Sequence, residues 1–136
     1  MRILSLDHGT RRIGVALSDE LQIIATPLEF IPAEPMDQVV GRLQQIIRDK
    51  EVELVLIGMP RNMDGTFGPA AQKVKDFITA LQPHINTSIK AWDERLTSVM
   101  ANRALLEGNV RRADRKQKVD KMAAAILLQS YLDSRS

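Results

Sequence analysis

Apolar and polar residues follow one another along the first 30 positions in a way that predicts three short strands. Residues 2–7 form an apolar run that ends on Asp7, and residues 13–18 form a second run after a turn. A third strand is predicted over residues 21–28, with Ile23, Ile24 and Ala25 in the core and Pro27 placing it at a sheet edge. The three strands are expected to pair in antiparallel fashion.

The remainder of the chain alternates helical and extended patterns. Apolar residues recur at helical spacing over residues 37–49, and the next run, residues 53–59, is apolar on both faces, as is typical of a buried central strand. A fifth strand is predicted over residues 85–92. Further helices are predicted from Pro69 to Leu81, from Thr97 to Leu106 and from Asp114 to Leu132.

This order of elements predicts the fold class. Three hairpin strands followed by helix, strand, helix and strand indicate a single mixed-sheet α/β domain over residues 1–136. Right-handed crossovers would make the first, fourth and fifth strands parallel and adjacent. Their carboxyl ends would then meet at one edge of the sheet, where α/β proteins place their sites.

The amino-acid composition limits the metal sites and the partners that can be expected. The chain has no cysteine, so a metal would have to be held by oxygen ligands or by the two histidines. No apolar run approaches the length of a membrane span, and we expect a cytoplasmic protein without a membrane partner. Basic residues crowd the last third, which predicts either a phosphate-contacting surface or a solvated helix start: Arg103, Arg111, Arg112, Arg115, Lys116, Lys118 and Lys121.

Carboxylates end two of the three strands that are predicted to be parallel. Asp7 ends the first, and Asp93 and Glu94 end the fifth. A further acid, Asp120, lies on the last helix, four residues before Ala124, and small residues on that face would let the helix approach the sheet closely. Convergent carboxylates are the ligands that magnesium prefers, although a lone aspartate after a strand is more often a turn or capping residue.

Several neighbouring residues admit both a functional and a structural interpretation. The turn at Gly9 and Thr10 could present backbone amides to a phosphate, or Gly9 could simply permit the hairpin. His8 could bind a metal or carry a proton, and Trp92 could stack on a base, but each is more often a surface or packing residue. The loop at residues 59–68, which contains Arg61, could clamp substrate or merely connect two elements.

Four motifs in this order carry a family resemblance. They are Leu6-Asp7-His8-Gly9-Thr10-Arg11-Arg12-Ile13-Gly14-Val15-Ala16, then Ile57-Gly58-Met59-Pro60 with Asp64-Gly65, then Asp93-Glu94-Arg95-Leu96-Thr97-Ser98, then Lys118-Val119-Asp120. Together they closely resemble the YqgF family of RuvC-like proteins, known as Holliday junction resolvases and as pre-16S rRNA nucleases. The resemblance covers nearly the whole chain.

The resemblance implies an RNase H-like fold and metal-dependent cleavage of phosphodiester bonds. The implied ligands of Mg²⁺ or Mn²⁺ are Asp7, the acid that ends the fifth strand, and Asp120. Glu94 is preferred to Asp93, because the RuvC-like pattern places its glutamate just past the strand. The predicted substrate contacts are Gly9, Thr10, Arg11, Arg12, Arg61, Arg95 and Lys118.

One departure from the RuvC-like pattern leaves the number of metal ions open. These resolvases often carry a further acid near the one on the last helix, whereas this chain has Ala123 three residues after Asp120.

The implied substrate is structured RNA, such as a ribosomal precursor, or else branched DNA. Cleavage of a four-way junction normally calls for a symmetric dimer, and both a monomer and a homodimer remain open. A third interpretation is a catalytically silent nucleic-acid-binding or ribosome-associated module. A sugar-kinase-like or actin-like nucleotide binder would need a second domain, for which 136 residues leave no room.

Overall fold

A computed structural model describes residues 1–60, 66–93 and 112–135, and side chains within the last range from residue 122 onward. The described strands are β1 (Arg2–His8), β2 (Arg12–Ser18), β3 (Ala25–Pro32), β4 (Val52–Met59) and β5 (Ser88–Asp93). The described helices are α1 (Met36–Asp49), α2 (Pro69–Leu81) and α3 (Arg112–Ser134), with a short 3₁₀ helix at Gln82–His84.

The five strands form one mixed sheet in the order β3-β2-β1-β4-β5. β1 pairs with β2 and β2 with β3 in antiparallel fashion, whereas β1 with β4 and β4 with β5 are parallel. The predicted mixed sheet is confirmed, and so is the adjacency of the first, fourth and fifth strands. Their carboxyl ends therefore lie together, with Asp7 near the end of β1 in the middle of the sheet.

Strand alternation divides the interior into two layers. Even-numbered β1 residues such as Leu4 and Leu6 face α1 and α2, together with Val55 and Ile57 of β4. Ile3 of β1 and Leu56 of β4 face the opposite way and pack against α3. The continuous apolar run of β4 thus serves both layers, as its sequence predicted.

Helix α3 lies close against β1. The hydroxyl of Ser5, which is fully buried, donates a hydrogen bond of 2.6 Å to the backbone carbonyl of Ala124. Such a contact requires a small residue on the helix, and the predicted close approach through alanine is confirmed. Trp92 of β5 packs edge-on against Tyr131 of α3, with ring centroids 5.1 Å apart, which confirms packing as its role.

Ser5→Ala should therefore weaken the attachment of α3. We expect the free energy of unfolding to fall by about 1 kcal/mol, because a buried hydrogen bond contributes on this scale. Ser134→Ala is the matched control, since Ser134 makes the same type of bond to a helix carbonyl at the exposed end of α3. Urea denaturation of the two variants measures both changes; equal stability of Ser5→Ala and wild type would show that the bond is not needed.

The predicted third strand was placed wrongly along the chain. β3 begins at Ala25, and residues 19–24 form a turn in which the Asp19 carboxylate accepts hydrogen bonds from the amides of Ile23 and Ile24, at 2.7 and 2.9 Å. Both isoleucines are more than half exposed instead of lying in the core. Because the Asp19 side chain accepts hydrogen bonds from the amides of Ile23 and Ile24, these amides do not need partners on a neighbouring strand.

The fifth strand also begins later than predicted. β5 starts at Ser88, and the alternating residues at 85–87 lie outside it, although Ile85 still packs against the core. Pro27 lies on an edge strand as expected. The helix predicted at 97–106 falls outside the described residues. Among the described helices, none is long and apolar enough to cross a membrane.

Candidate active site

The site is centred on Asp7, near the carboxyl end of β1. Its side chain is partly buried, and its Cα pairs with that of Gly14 on β2. A Cβ added to Gly14 would lie 3.7 Å from the Cβ atoms of both Asp7 and Ala124. Asp7 therefore lies on the face of the sheet that α3 covers.

Glycines on both neighbouring strands leave space beside the Asp7 carboxylate. On one side, Gly14 of β2 is paired with Asp7. On the other side, Gly58 of β4 comes directly after Ile57, and Ile57 is paired with Leu6, the residue before Asp7. Gly14 pairs in turn with Phe30, and Gly58 pairs with Trp92. A row across the sheet thus runs from Phe30 through two glycines, with the carboxylate between them, to Trp92.

The turn between β1 and β2 closes one side of this space. Its backbone is fixed by the amide of Gly9, which donates to the carbonyl of Arg12 at 3.0 Å, and by the amide of Ala33, which donates to the carbonyl of Arg11 at 3.0 Å. An open cavity of about 280 Å³ lies here. Its lining combines an acid, two arginines and backbone: Asp7, Gly9, Thr10, Arg11, Arg12, Gly14 and Phe30.

Gly9 is needed for the close approach within this turn. A Cβ at residue 9 would come within 2.6 Å of the Arg12 carbonyl oxygen, a backbone atom that cannot move without shifting the turn. We expect Gly9→Ala to lower the free energy of unfolding by roughly 1–3 kcal/mol, the usual cost of overpacking, and to weaken substrate binding by displacing both arginines.

Gly41→Ala is the matched control for that substitution. Gly41 is an exposed residue of α1, and a Cβ added there would have no other atom within 4 Å. Thermal denaturation and substrate affinity of the two variants provide the test. A Gly41→Ala protein that is more damaged than Gly9→Ala would contradict this explanation of the turn.

The structure brings four of the predicted substrate contacts together. Gly9, Thr10, Arg11 and Arg12 line the cavity next to Asp7. Arg61 and Arg95 fall outside the described residues, and Lys118 lies in the part of α3 whose side chains are not described. The clustering of two arginines beside a carboxylate at a strand end suits the binding of a phosphodiester.

Of the predicted acids, only Asp7 and Asp93 have described side chains. Asp93 pairs with Met59, which belongs to the layer covered by α1 and α2, so it lies on the face opposite Asp7. Glu94 lies outside the described residues. Asp120 is a residue of α3, four positions before Ala124. Within the described part of the chain no three His, Cys, Asp or Glu side chains form a metal-binding group.

His8 lies on the other face of β1 from Asp7. Its ring stacks at a tilt on Phe77 of α2, with centroids 4.6 Å apart. Burial, and then the nearby charge of Lys73, lower the pKa of the imidazole below its ordinary value. The packing of the His8 ring on α2 indicates a structural role. His84 is an exposed residue of the 3₁₀ helix.

Phe30 is the site residue that the sequence analysis missed. It lines the cavity and lies under the guanidinium of Arg12. Its position depends on the pairing register between β2 and β3, and the misplacement of the third strand hid it. The apolar residues Phe30 and Ile31, just past the predicted end of the strand, could have indicated that it continues.

The described part of the site suits a hard divalent cation. The Asp7 carboxylate offers oxygen ligands, and the cavity of about 280 Å³ that it lines leaves room for water or a phosphate oxygen beside it. The chain contains no cysteine, so a thiolate metal site is excluded.

Sequence comparison identifies relatives over nearly the full length. The profile of the RuvX family, described as Holliday junction resolvase, matches residues 1–134. A protein of Halothermothrix orenii is 47% identical over 98% of this chain and 95% of its own length. One of Symbiobacterium thermophilum is 48% identical over 100% of this chain and 94% of its own length. Both carry the name "Putative pre-16S rRNA nuclease".

Solved structures with the same fold are more distant in sequence. T. thermophilus RuvC in complex with a Holliday junction superposes with a TM-score of 0.63 at 14% identity, covering 99% of this chain and 95% of that one. The fowlpox virus Holliday junction resolvase gives a TM-score of 0.57 at 16% identity, covering 98% and 99%. This similarity confirms the RNase H-like fold.

Proposed function

This chain belongs to the RuvX family, and from that membership we propose that it is a metal-dependent nuclease that processes the ends of pre-16S ribosomal RNA. The proposed substrate rests on one observation: this chain is 47–48% identical, over at least 98% of its length, to relatives named for that activity. The reaction class is hydrolysis of a phosphodiester bond.

Three acids are proposed to hold the metal. Asp7 is the first, because it lies at the carboxyl end of the central β1, between two glycines. Glu94 is the second, because the RuvC-like pattern has its glutamate just past the fifth strand and because Asp93 occupies the face opposite Asp7. Asp120 is the third, since it precedes Ala124 by one helical turn and Ala124 lies beside Gly14.

Magnesium or manganese held by these acids would polarise the scissile phosphate and help to generate the attacking hydroxide. The residues of the chain would supply the positioning. Gly9 and Thr10 shape the turn next to the phosphate, while Arg11 and Arg12 attract the negatively charged backbone. Arg61, Arg95 and Lys118 are proposed to extend this basic surface along the substrate.

Resolution of branched DNA is the second candidate function. The description of the RuvX family favours it, whereas the likeness to the resolvase structures concerns the fold alone. Two strands must be cut symmetrically in a junction, and a symmetric dimer would bring two sites together. A chain that is monomeric in solution at working concentration would weigh against this activity.

Cleavage assays on matched substrates test the proposal. Purified protein is incubated with a pre-16S RNA fragment and with a four-way DNA junction, in Mg²⁺, in Mn²⁺ and in EDTA. We expect metal-dependent cutting of the RNA and none in EDTA. Cutting of the junction alone would replace the RNA proposal with the second candidate. No cutting of either, with retained binding, would indicate a catalytically silent module.

Asp7→Asn protein prepared in the same way is the control for contaminating nucleases. Cleavage that persists in this variant cannot come from the proposed site.

A further inference from the structure

Arg12 is held by an aromatic ring and not by an acid. Its guanidinium carbon lies 4.1 Å above the centre of the Phe30 ring, and its side chain is exposed. No carboxylate within the described ranges forms an ion pair with Arg12. A cation–π contact restrains a guanidinium without neutralising it, so its N–H donors stay available to an anion.

The acid nearest in sequence to Phe30 is engaged elsewhere. Glu29 accepts a hydrogen bond of 2.9 Å from the Nε of Arg42 and a second from another guanidinium nitrogen of the same residue. The bond from Arg42 lowers the pKa of the Glu29 carboxyl. Two arginines of the same region are therefore held in different ways. Arg42 forms an ion pair with Glu29, whereas Arg12 contacts the Phe30 ring and forms no ion pair with any described residue.

The geometry of the sheet places Arg12 at a defined separation from Asp7. Arg12 and Gly14 lie on the same face of β2, and Gly14 is paired with Asp7. Two residues of a strand span about 7 Å. Both residues line the cavity of about 280 Å³, so an anion bound by Arg12 would lie next to a phosphate at Asp7 on the same nucleic-acid strand.

We propose that Phe30 is a positioning residue that holds the Arg12 guanidinium for the phosphate next to the scissile one. This inference rests on the proposed function, since it assumes a nucleic-acid backbone at Asp7. Phe30 acts through Arg12 and need not touch the substrate. Phe30 and Arg12 together fix the path of the nucleic-acid strand across β2 and β3, toward the edge of the β-sheet.

Binding measurements under varied salt test the pairing without any dependence on cleavage. Fluorescence anisotropy with a labelled pre-16S RNA fragment, in EDTA, gives the dissociation constant for wild type, Arg12→Ala, Phe30→Leu, Phe30→Tyr and the double variant Arg12→Ala/Phe30→Leu. Arg48→Ala is the control, because Arg48 is an exposed residue of α1 that pairs with its neighbour Asp49. Thermal denaturation checks that each variant is folded.

Loss of one phosphate contact sets the expected values. Arg12→Ala should weaken binding roughly ten-fold and reduce the slope of log K against log salt by about 0.7–0.9. Phe30→Leu should weaken binding about two- to five-fold and lower the same slope, and Phe30→Tyr, which keeps the ring, should restore both. Arg48→Ala should leave both unchanged.

The double variant tests whether Phe30 acts through Arg12. The double variant should bind no more weakly than Arg12→Ala, because Phe30 has nothing to hold once the guanidinium is gone. Additive losses, or no loss in Phe30→Leu, would overturn the positioning role while leaving the nuclease proposal intact. Failure of the wild type to bind RNA would overturn both.

Discussion

Asp7→Asn should reduce metal-dependent cleavage by at least about a hundred-fold while leaving the protein folded. The reduction follows because an amide is a much poorer ligand for a divalent cation than a carboxylate, and loss of even an outer-shell partner of a metal site costs 10–100-fold. The fold should persist because asparagine has nearly the same shape and Asp7 is only partly buried. Initial rates on the RNA substrate at saturating Mg²⁺ measure the loss.

His84→Ala is the companion control for Asp7→Asn. His84 is exposed on the 3₁₀ helix, and we expect wild-type rates after its removal. Equal activity of Asp7→Asn and wild type would remove Asp7 from the site, whatever the metal dependence of the reaction.

Glu94→Gln should reduce cleavage by a similar factor, at least about a hundred-fold, and Asp93→Asn by far less. The two acids are adjacent in sequence. Asp93 is paired with Met59, however, and both lie on the face of the sheet that α1 and α2 cover. A ligand for a metal at Asp7 has to come from the other face. Rates of both variants, with circular dichroism as a check on folding, separate the alternatives.

The reverse result would be equally informative. A strong loss in Asp93→Asn with little change in Glu94→Gln would mean that the chain turns at the end of β5 and that the ligand assignment has to be exchanged. A strong loss in both would indicate that Asp93 supports its neighbour structurally, which a fall in melting temperature would reveal.

The parts of the fold that depend on local pattern could be predicted from sequence. The run Leu54-Val55-Leu56-Ile57 is apolar on both faces and forms the central β4, between two packed layers. The small residue Ala124 was predicted to let the last helix approach the sheet closely, and its backbone carbonyl accepts a hydrogen bond from Ser5 of β1. Periodicity within one element suffices for such conclusions.

The position of β3 could not be obtained in the same way. Ile23 and Ile24 have strong strand propensity, but the Asp19 carboxylate bonds to both amides and holds them in a turn. Gln22 has a positive φ of 59° and bonds to the backbone of Met1, a contact across the sheet. Propensity was overridden by these side-chain bonds, which depend on the folded neighbourhood.

The location of the candidate site could be predicted from the sequence, but its full set of residues could not. Asp7 could be inferred because it ends an apolar strand, and the arginines because they follow it. The contribution of Phe30 requires the register that pairs it with Gly14, and the role of Gly58 requires the pairing of β1 with β4. Register between distant strands is set by the whole sheet and leaves no local trace.

The most direct test of the central claim is to locate the metal in solution. Amide spectra of ¹⁵N-labelled protein are recorded during titration with Mn²⁺, whose unpaired electrons broaden signals from nearby nuclei. The account predicts broadening at Asp7, Gly14 and Gly58, with Ile23 and Ile24 at the far end of the sheet unaffected, and loss of this pattern in Asp7→Asn. Broadening that is centred elsewhere, or that persists unchanged in Asp7→Asn, would contradict it.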